Sequence, residues 1–172
     1  MKLSLVGALA LGVFMCVGPI AQAEAPGDPK AVKQVDGKYF DAKGDPTYNV
    51  KDGVVDWYTF SGYRRYHAEC HVCHGPNAEG STYAPALKDS VKRFNYAEFA
   101  GIVIGGRESK QAGADSIMPA FADNKNAMCY IDDLYVYLRA RSTNAVDRGR
   151  PEKKDEKPEA FTKAEAECMS KK

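Results

Sequence analysis

The chain has 172 residues, 44% of them hydrophobic and 27% charged, with 24 basic residues against 23 acidic ones. That length suits one domain with an ordinary core, and the composition is normal for a soluble protein. The near-neutral balance argues against a nucleic-acid partner, which would concentrate positive charge on one face.

Taken in chain order, Met1 to Ala23 carries Lys2, an apolar run from Leu3 through Ile20, and then Ala21-Gln22-Ala23. This is the pattern of a secretory signal with a small-x-small cleavage site. The mature chain is expected to begin at Glu24 and to act in the periplasm. Gly18-Pro19 interrupts the run, which argues against a retained anchor, so no stable membrane insertion is expected. Cys16 lies in the removed segment and follows a methionine rather than a small residue, which argues against a lipoprotein site. Removing Lys2 leaves equal numbers of basic and acidic residues.

Residues 24–56 are rich in Gly, Pro, Asp and Lys, with turns at Gly37, Gly44-Asp45-Pro46 and Asp52-Gly53. They read as an N-terminal extension with few regular elements. Tyr39, Phe40, Tyr48, Val54, Val55 and Trp57 are too many apolar and aromatic residues for a free linker, so part of it is expected to pack on the domain.

A first helix is predicted from about Trp57 to Cys70, with Phe60, Tyr63, Tyr66 and Cys70 on one face. It leads into Cys70-His71-Val72-Cys73-His74, a C-x-x-C-H sequence followed by Gly75. C-x-x-C-H is the pattern of covalent haem attachment. Its two thiols add to the haem vinyl groups as thioethers, and the histidine reaches the iron from one face. A zinc site or a thioredoxin-like dithiol also contains C-x-x-C. A zinc site would need a second ligand pair, yet His67, His71 and His74 cluster together and the other cysteines stand alone at Cys16, Cys129 and Cys168. Thioredoxin-like motifs sit in alternating strand and helix patterns, which are not evident here. No second such motif occurs, so one haem per chain is expected. A short helix is predicted from about Tyr96 to Ile104, closed by Gly105-Gly106. A further strong helix is predicted from Tyr130 to Arg141, with Tyr130, Leu134, Tyr137 and Leu138 on one stripe and Arg139 and Arg141 near its C-terminus.

Gly62, Tyr66 and the Cys70 to Gly75 run, together with Leu134, Tyr137 and Leu138, resemble the class I cytochrome c family. The resemblance implies an all-α fold in which N- and C-terminal helices cross around one covalently bound haem c, with a domain over residues 57–146. It implies that Gly62 permits close approach of the two helices, with Tyr66 and Tyr137 around the crossing. Ala84-Pro85-Ala86-Leu87 is similar to the family's proline segment, which implies that the Pro85 carbonyl orients His74 and raises its basicity.

No histidine follows His74, and His67 and His71 are tied to the same helix and loop, so a methionine leads for the sixth ligand. Met118, in Ser116-Ile117-Met118-Pro119, follows a glycine-bearing loop at Gly113, and its Met-Pro resembles the class I ligand motif. Met128, at the start of the last strong helix, is the rival, although a methionine there more often fills a core. Met169 lies in a charged tail. A His/Met pair fills both axial positions, which predicts electron transfer rather than catalysis.

Cys129 and Cys168 remain. In an oxidising compartment a disulfide between them is the default, with two free thiols on a disordered tail as the alternative. The charged tail, 147–172, contains helix formers from Glu159 onward, with Phe161, Ala164 and Cys168 on one face; a disulfide would pin it to the domain.

Several further stretches resemble the methanol-metabolism-related c-type cytochromes. They are Asp36-Gly37-Lys38-Tyr39, Pro46-Thr47-Tyr48, Val55-Asp56-Trp57-Tyr58-Thr59, the run from Gly62 to Pro76, Gly80 to Leu87, Met118 to Phe121, and Tyr135 to Arg141. The resemblance covers most of the mature chain. It implies a cytochrome c-L-like carrier that accepts electrons from a pyrroloquinoline-quinone (PQQ) methanol dehydrogenase of the lanthanide type and passes them to a downstream cytochrome c or oxidase. A general class I carrier with another donor, and a haem enzyme or gas-binding protein with an open sixth position, remain as alternatives.

Overall fold

The computed structural model describes residues 30–111 and 114–171. The expected signal at 1–23, its cleavage point before Glu24, and Gly113 lie outside the described residues. The described part of the extension contains two tight hairpins. Asp36 and Gly37 both take positive φ (52° and 81°), as do Asp52 and Gly53 (52° and 76°). Two consecutive left-handed residues make the two-residue turn whose twist matches paired strands. Thus β1 (Lys33–Val35) pairs antiparallel with β2 (Lys38–Phe40), which pairs in turn with β3 (Pro46–Thr47). Likewise β4 (Val50–Lys51) pairs antiparallel with β5 (Val54–Val55).

Helix α1 (Trp57–Glu69) starts at Asp56, whose carboxylate accepts from the Thr59 amide at 2.9 Å and the Thr59 hydroxyl at 2.6 Å. Capping removes an orphan donor where no earlier carbonyl can serve. The one-turn helices α2 (His71–His74) and α3 (Leu87–Ser90) follow. Helix α4 (Tyr96–Gly105) opens with a reciprocal Asn95/Glu98 capping box. Then come an antiparallel hairpin, β6 (Arg107–Gln111) with β7 (Ala114–Met118), the short α5 (Lys125–Met128) and α6 (Ile131–Ser142). Strand β8 (Lys153–Lys154) runs parallel to β5, and α7 (Glu159–Ser170) ends the described chain.

The core forms where α1 crosses α6. A side chain at Gly62 would place its Cβ 1.9 Å from the Asp133 carbonyl oxygen and 2.8 Å from the Tyr137 Cβ, so only glycine lets the two backbones approach. Tyr66 and Tyr137, both fully buried, pack with ring centroids 5.5 Å apart. Every residue of α6 from Asp133 to Ser142 is buried. A helix enclosed on all sides buries its polar face as well as its apolar stripe. The basic pair expected near its C-terminus is therefore inside: Arg139 donates to the Val91 carbonyl at 2.9 Å and Arg141 to the Val146 carbonyl at 2.5 Å.

The all-α expectation is corrected in part. Helices make the core, but the described residues also contain three small β-sheets. Their strands are two to five residues long, too short for an alternating pattern to register, and the Asp-Gly pairs read as irregular turns rather than hairpin loops. The tail helix is bound by the disulfide Cys129–Cys168. Phe161 is buried against Trp57, Tyr58 and Tyr130, at centroid distances of 5.7, 5.2 and 6.2 Å, while Ala164 stays exposed. Among the described residues no helix is long and apolar enough to cross a membrane.

Candidate cofactor site

The end of α1 delivers the first thiol. Cys70 caps α1 with its amide on the Tyr66 carbonyl at 2.9 Å, and its own carbonyl receives the amides of Cys73 (3.3 Å) and His74 (3.0 Å). This single turn sets Cys70, Cys73 and His74 around one bend. Both cysteines are free thiols, Cys70 half-buried and Cys73 exposed. Burial, with smaller contributions from Glu69 and Cys73, pushes the Cys70 thiol up to about 12. A thiol held neutral disfavours a metal thiolate. Among the described residues no group of three or more His, Cys, Asp or Glu side chains could hold a metal ion.

His74 is buried, and its Nδ1 lies 2.8 Å from the Pro85 carbonyl oxygen. A carbonyl only accepts, so Nδ1 donates and Nε2 keeps its lone pair. Burial lowers the pKa of His74 and so favours the neutral ring that can ligate, opposed by the Pro85 bond. Pro85 is itself exposed, and only its carbonyl takes part.

The turn between His74 and Pro85 depends on backbone proximity. Gly75 has φ +76°, and a Cβ there would meet the Gly80 oxygen at 2.6 Å; its carbonyl accepts from the Tyr66 hydroxyl. Gly80, at φ +84°, returns its amide to the His74 carbonyl at 2.9 Å, and a Cβ there would meet the Ala86 amide nitrogen at 2.8 Å. The Ser81 hydroxyl donates to the Cys73 carbonyl. Charge surrounds the same turn. Glu79 pairs with Lys88 (3.0 Å), Arg148 (2.9 Å) and, more distantly, Arg141 (3.7 Å). Hydrogen bonds from Lys88 and Arg148 hold the Glu79 carboxyl below the usual range.

Met118 ends β7, opposite Arg107 of β6, and its half-buried side chain packs against the core cluster. Its backbone lies close to Gly106, which ends α4 with φ +73°, and a Cβ there would stand 2.6 Å from the Met118 oxygen. Met128 instead lines a cavity of about 190 Å³ with Tyr58, Phe161 and Glu165, beside the tail helix. Met169 is 39% exposed. His67 and His71 stay on the α1–α2 side, their rings stacked at 5.5 Å, with His67 Nδ1 2.9 Å from the Tyr63 carbonyl.

The structure thus brings Cys70, Cys73, His74 and Pro85 together. It places Met118 on the hairpin strand and sets Met128 and Met169 in other surroundings. Sequence reasoning missed Glu79, Arg141 and Arg148; isolated charges carry no spacing signal. The set offers two thiols and one imidazole lone pair, and the hairpin adds a thioether. Those groups can attach and ligate a haem.

No family model matches the chain. Cytochrome c-553I of Paracoccus denitrificans is 53% identical over 135 residues, 78% of this chain, which spans 60% of that protein's length. Cytochrome c-555 of Methylococcus capsulatus (strain ATCC 33009 / NCIMB 11132 / Bath) is 37% identical over 100 residues, 58% of this chain and 75% of that protein. The crystal structure of c-type cytochrome XoxG from Methylobacterium extorquens AM1 superposes with a TM-score of 0.74 at 61% identity, covering 80% of this chain and 85% of that one.

Proposed function

Because the chain belongs to the c-type cytochromes, whose haem c is bound covalently, we propose that it is a periplasmic monohaem carrier taking single electrons from a PQQ-dependent, lanthanide-type methanol dehydrogenase to the respiratory chain. The observation that carries the haem assignment is the joint placement of Cys70, Cys73 and His74 on one turn, with His74 Nδ1 held at 2.8 Å by the Pro85 carbonyl. Cys70 and Cys73 would form the thioether links, and His74 Nε2 and the Met118 sulfur would hold the iron. The haem supplies a one-electron couple. The protein tunes that couple through the two axial groups and their hydrogen bonds.

The class I arrangement is the finer reading of the fold, with residues 1–23 an export signal, 24–56 an extension, 57–146 the haem domain and 147–172 a tethered tail. Support for the donor comes from the resemblance to methanol-metabolism cytochromes, which runs from Asp36 to Arg141. Exposed Val72, Cys73 and Tyr83 leave the attachment turn open to a partner, as a brief one-electron encounter requires; such encounters use small interfaces.

The test mixes the oxidised cytochrome with a catalytic amount of its organism's methanol dehydrogenase and methanol, and follows ferrous haem absorption. Rapid reduction that requires both enzyme and methanol is expected. If the dehydrogenase turns over with an artificial acceptor yet leaves this haem oxidised, the donor is a different one and the methanol assignment fails.

A further inference from the structure

In a His/Met carrier the basicity of the axial imidazole helps set the potential, and that basicity depends on the partner of the ring's other nitrogen. Here the partner is a backbone carbonyl on an exposed turn. Left to itself, such a turn would move, so something must hold Pro85 against His74.

The holding group comes from α6. Arg141 is 4% exposed on its side chain, an expensive position for a guanidinium unless its planar fork is used on several acceptors. Its Nη1 donates to the Val146 carbonyl at 2.5 Å, while Nε and Nη2 reach the Asn77 carbonyl at 3.4 and 3.3 Å. Asn77 is fixed a second time, its side-chain oxygen accepting from the Gly149 amide at 3.0 Å. Fully buried Ala78, in a left-handed conformation at φ 58°, accepts from the Lys88 amide at 3.1 Å. Glu79 then collects Lys88, Arg148 and Arg141. Gly80 lies against the 84–86 backbone, and the Ser81 amide donates to the Ala84 carbonyl at 3.0 Å. Pro85 is therefore clamped on its N-terminal side by residues 77–81 and on its C-terminal side by Lys88, and the clamp is rooted in the C-terminal helix through one buried arginine.

We propose that Arg141 is a positioning residue for the haem ligand: by anchoring the 77–81 turn to α6 it keeps the Pro85 carbonyl on His74 Nδ1 and so holds the reduction potential down. The inference rests on the reading of His74 as an axial ligand.

The test is Arg141→Lys in the holo-cytochrome, which keeps the charge but loses the fork. The expected results are a higher potential, because a ring with a weaker Nδ1–H···O bond donates less to ferric iron, and faster solvent exchange of the His74 Nδ1 proton in NMR, by up to about tenfold. Lys163→Ala, which removes an exposed side chain of α7 outside the clamp, should leave both unchanged. A folded Arg141→Lys variant with wild-type potential and wild-type proton protection would overturn the proposal, even if it melts earlier. Should that variant not fold, wild-type hydrogen exchange decides. Common opening of the His74 ring proton with the Gly80 and Lys88 amides supports the clamp, and independent, much faster opening of the ring proton refutes it. Absence of paramagnetically shifted His74 ring signals in the wild-type ferric protein would instead remove the axial reading beneath it.

Discussion

Asp133 is the most heavily loaded single residue outside the cofactor site. Its backbone oxygen faces Gly62 at the helix crossing, its side chain is buried, and Oδ2 has no hydrogen-bond partner. Burial first, with Asp132 and Asp56 adding, pushes its carboxyl up to about 8, against the opposing pull of the Ser61 bond and Lys38. The folded value lies above the unfolded one, so between those two pKa values the native chain holds a proton that the unfolded chain releases. Stability from this group is complete below the unfolded pKa and is lost as pH rises through about 8. Asp133→Asn should flatten that decline and stabilise the protein at pH 8 by about 1–3 kcal/mol. Thermal unfolding at acidic and mildly alkaline pH checks it; parallel slopes in the two proteins would refute the assignment. Nothing in the sequence marked Asp133, since an aspartate in a helix's first turn ordinarily faces water and serves the dipole. Cys70, Cys73 and His74 were legible because their chemistry depends on spacing within one turn.

Among the elements, the tail helix depends most on a covalent tie. Helix α7 has twelve residues, marginal alone in water. It is held by Cys129–Cys168, by Phe161 in an aromatic pocket, and by Glu165, which accepts from Tyr130 at 2.7 Å and pairs with Arg65 at 3.2 Å. The bridge joins residues 39 apart, so the chain-entropy model gives about 3 to 4 kcal/mol. The double variant Cys129→Ala/Cys168→Ala should lose stability of that order and show faster amide exchange along α7, with an unchanged haem spectrum. Calorimetry and hydrogen exchange read these separately, and an altered haem spectrum would mean that the tail supports the cofactor directly. Element by element, the helices were legible. Predictions of 57–70, 96–104 and 130–141 became Trp57–Glu69, Tyr96–Gly105 and Ile131–Ser142. Apolar spacing and cap residues are local signals. Strands β5 and β8 were not legible, because their parallel pairing joins the extension to the tail across the 99 positions from Val54 to Lys153.

At the scale of the whole molecule, the proposed ligation would draw on separate parts of the chain: His74 after α1, and Met118 at the end of the hairpin, where Gly106 lets its backbone approach. Under the proposed ligation the ferrous protein should not bind carbon monoxide. Met118→Ala should bind it and show a lower potential, since methionine raises potential relative to stronger donors. Absorption titration with carbon monoxide and a redox titration check both, and an unchanged spectrum and potential in the variant would move the sixth ligand elsewhere. By itself, the sequence determined the three principal helices and marked the C-x-x-C-H turn, because each is written in short spacings, while the glycine at the helix crossing came through the family resemblance. Only the tertiary structure decided that α6 is enclosed on all sides, that Arg139 and Arg141 lie inside it, and that Arg141 roots the turn carrying Pro85. Those facts depend on carbonyls supplied by remote segments, and a residue's burial is a property of what folds over it.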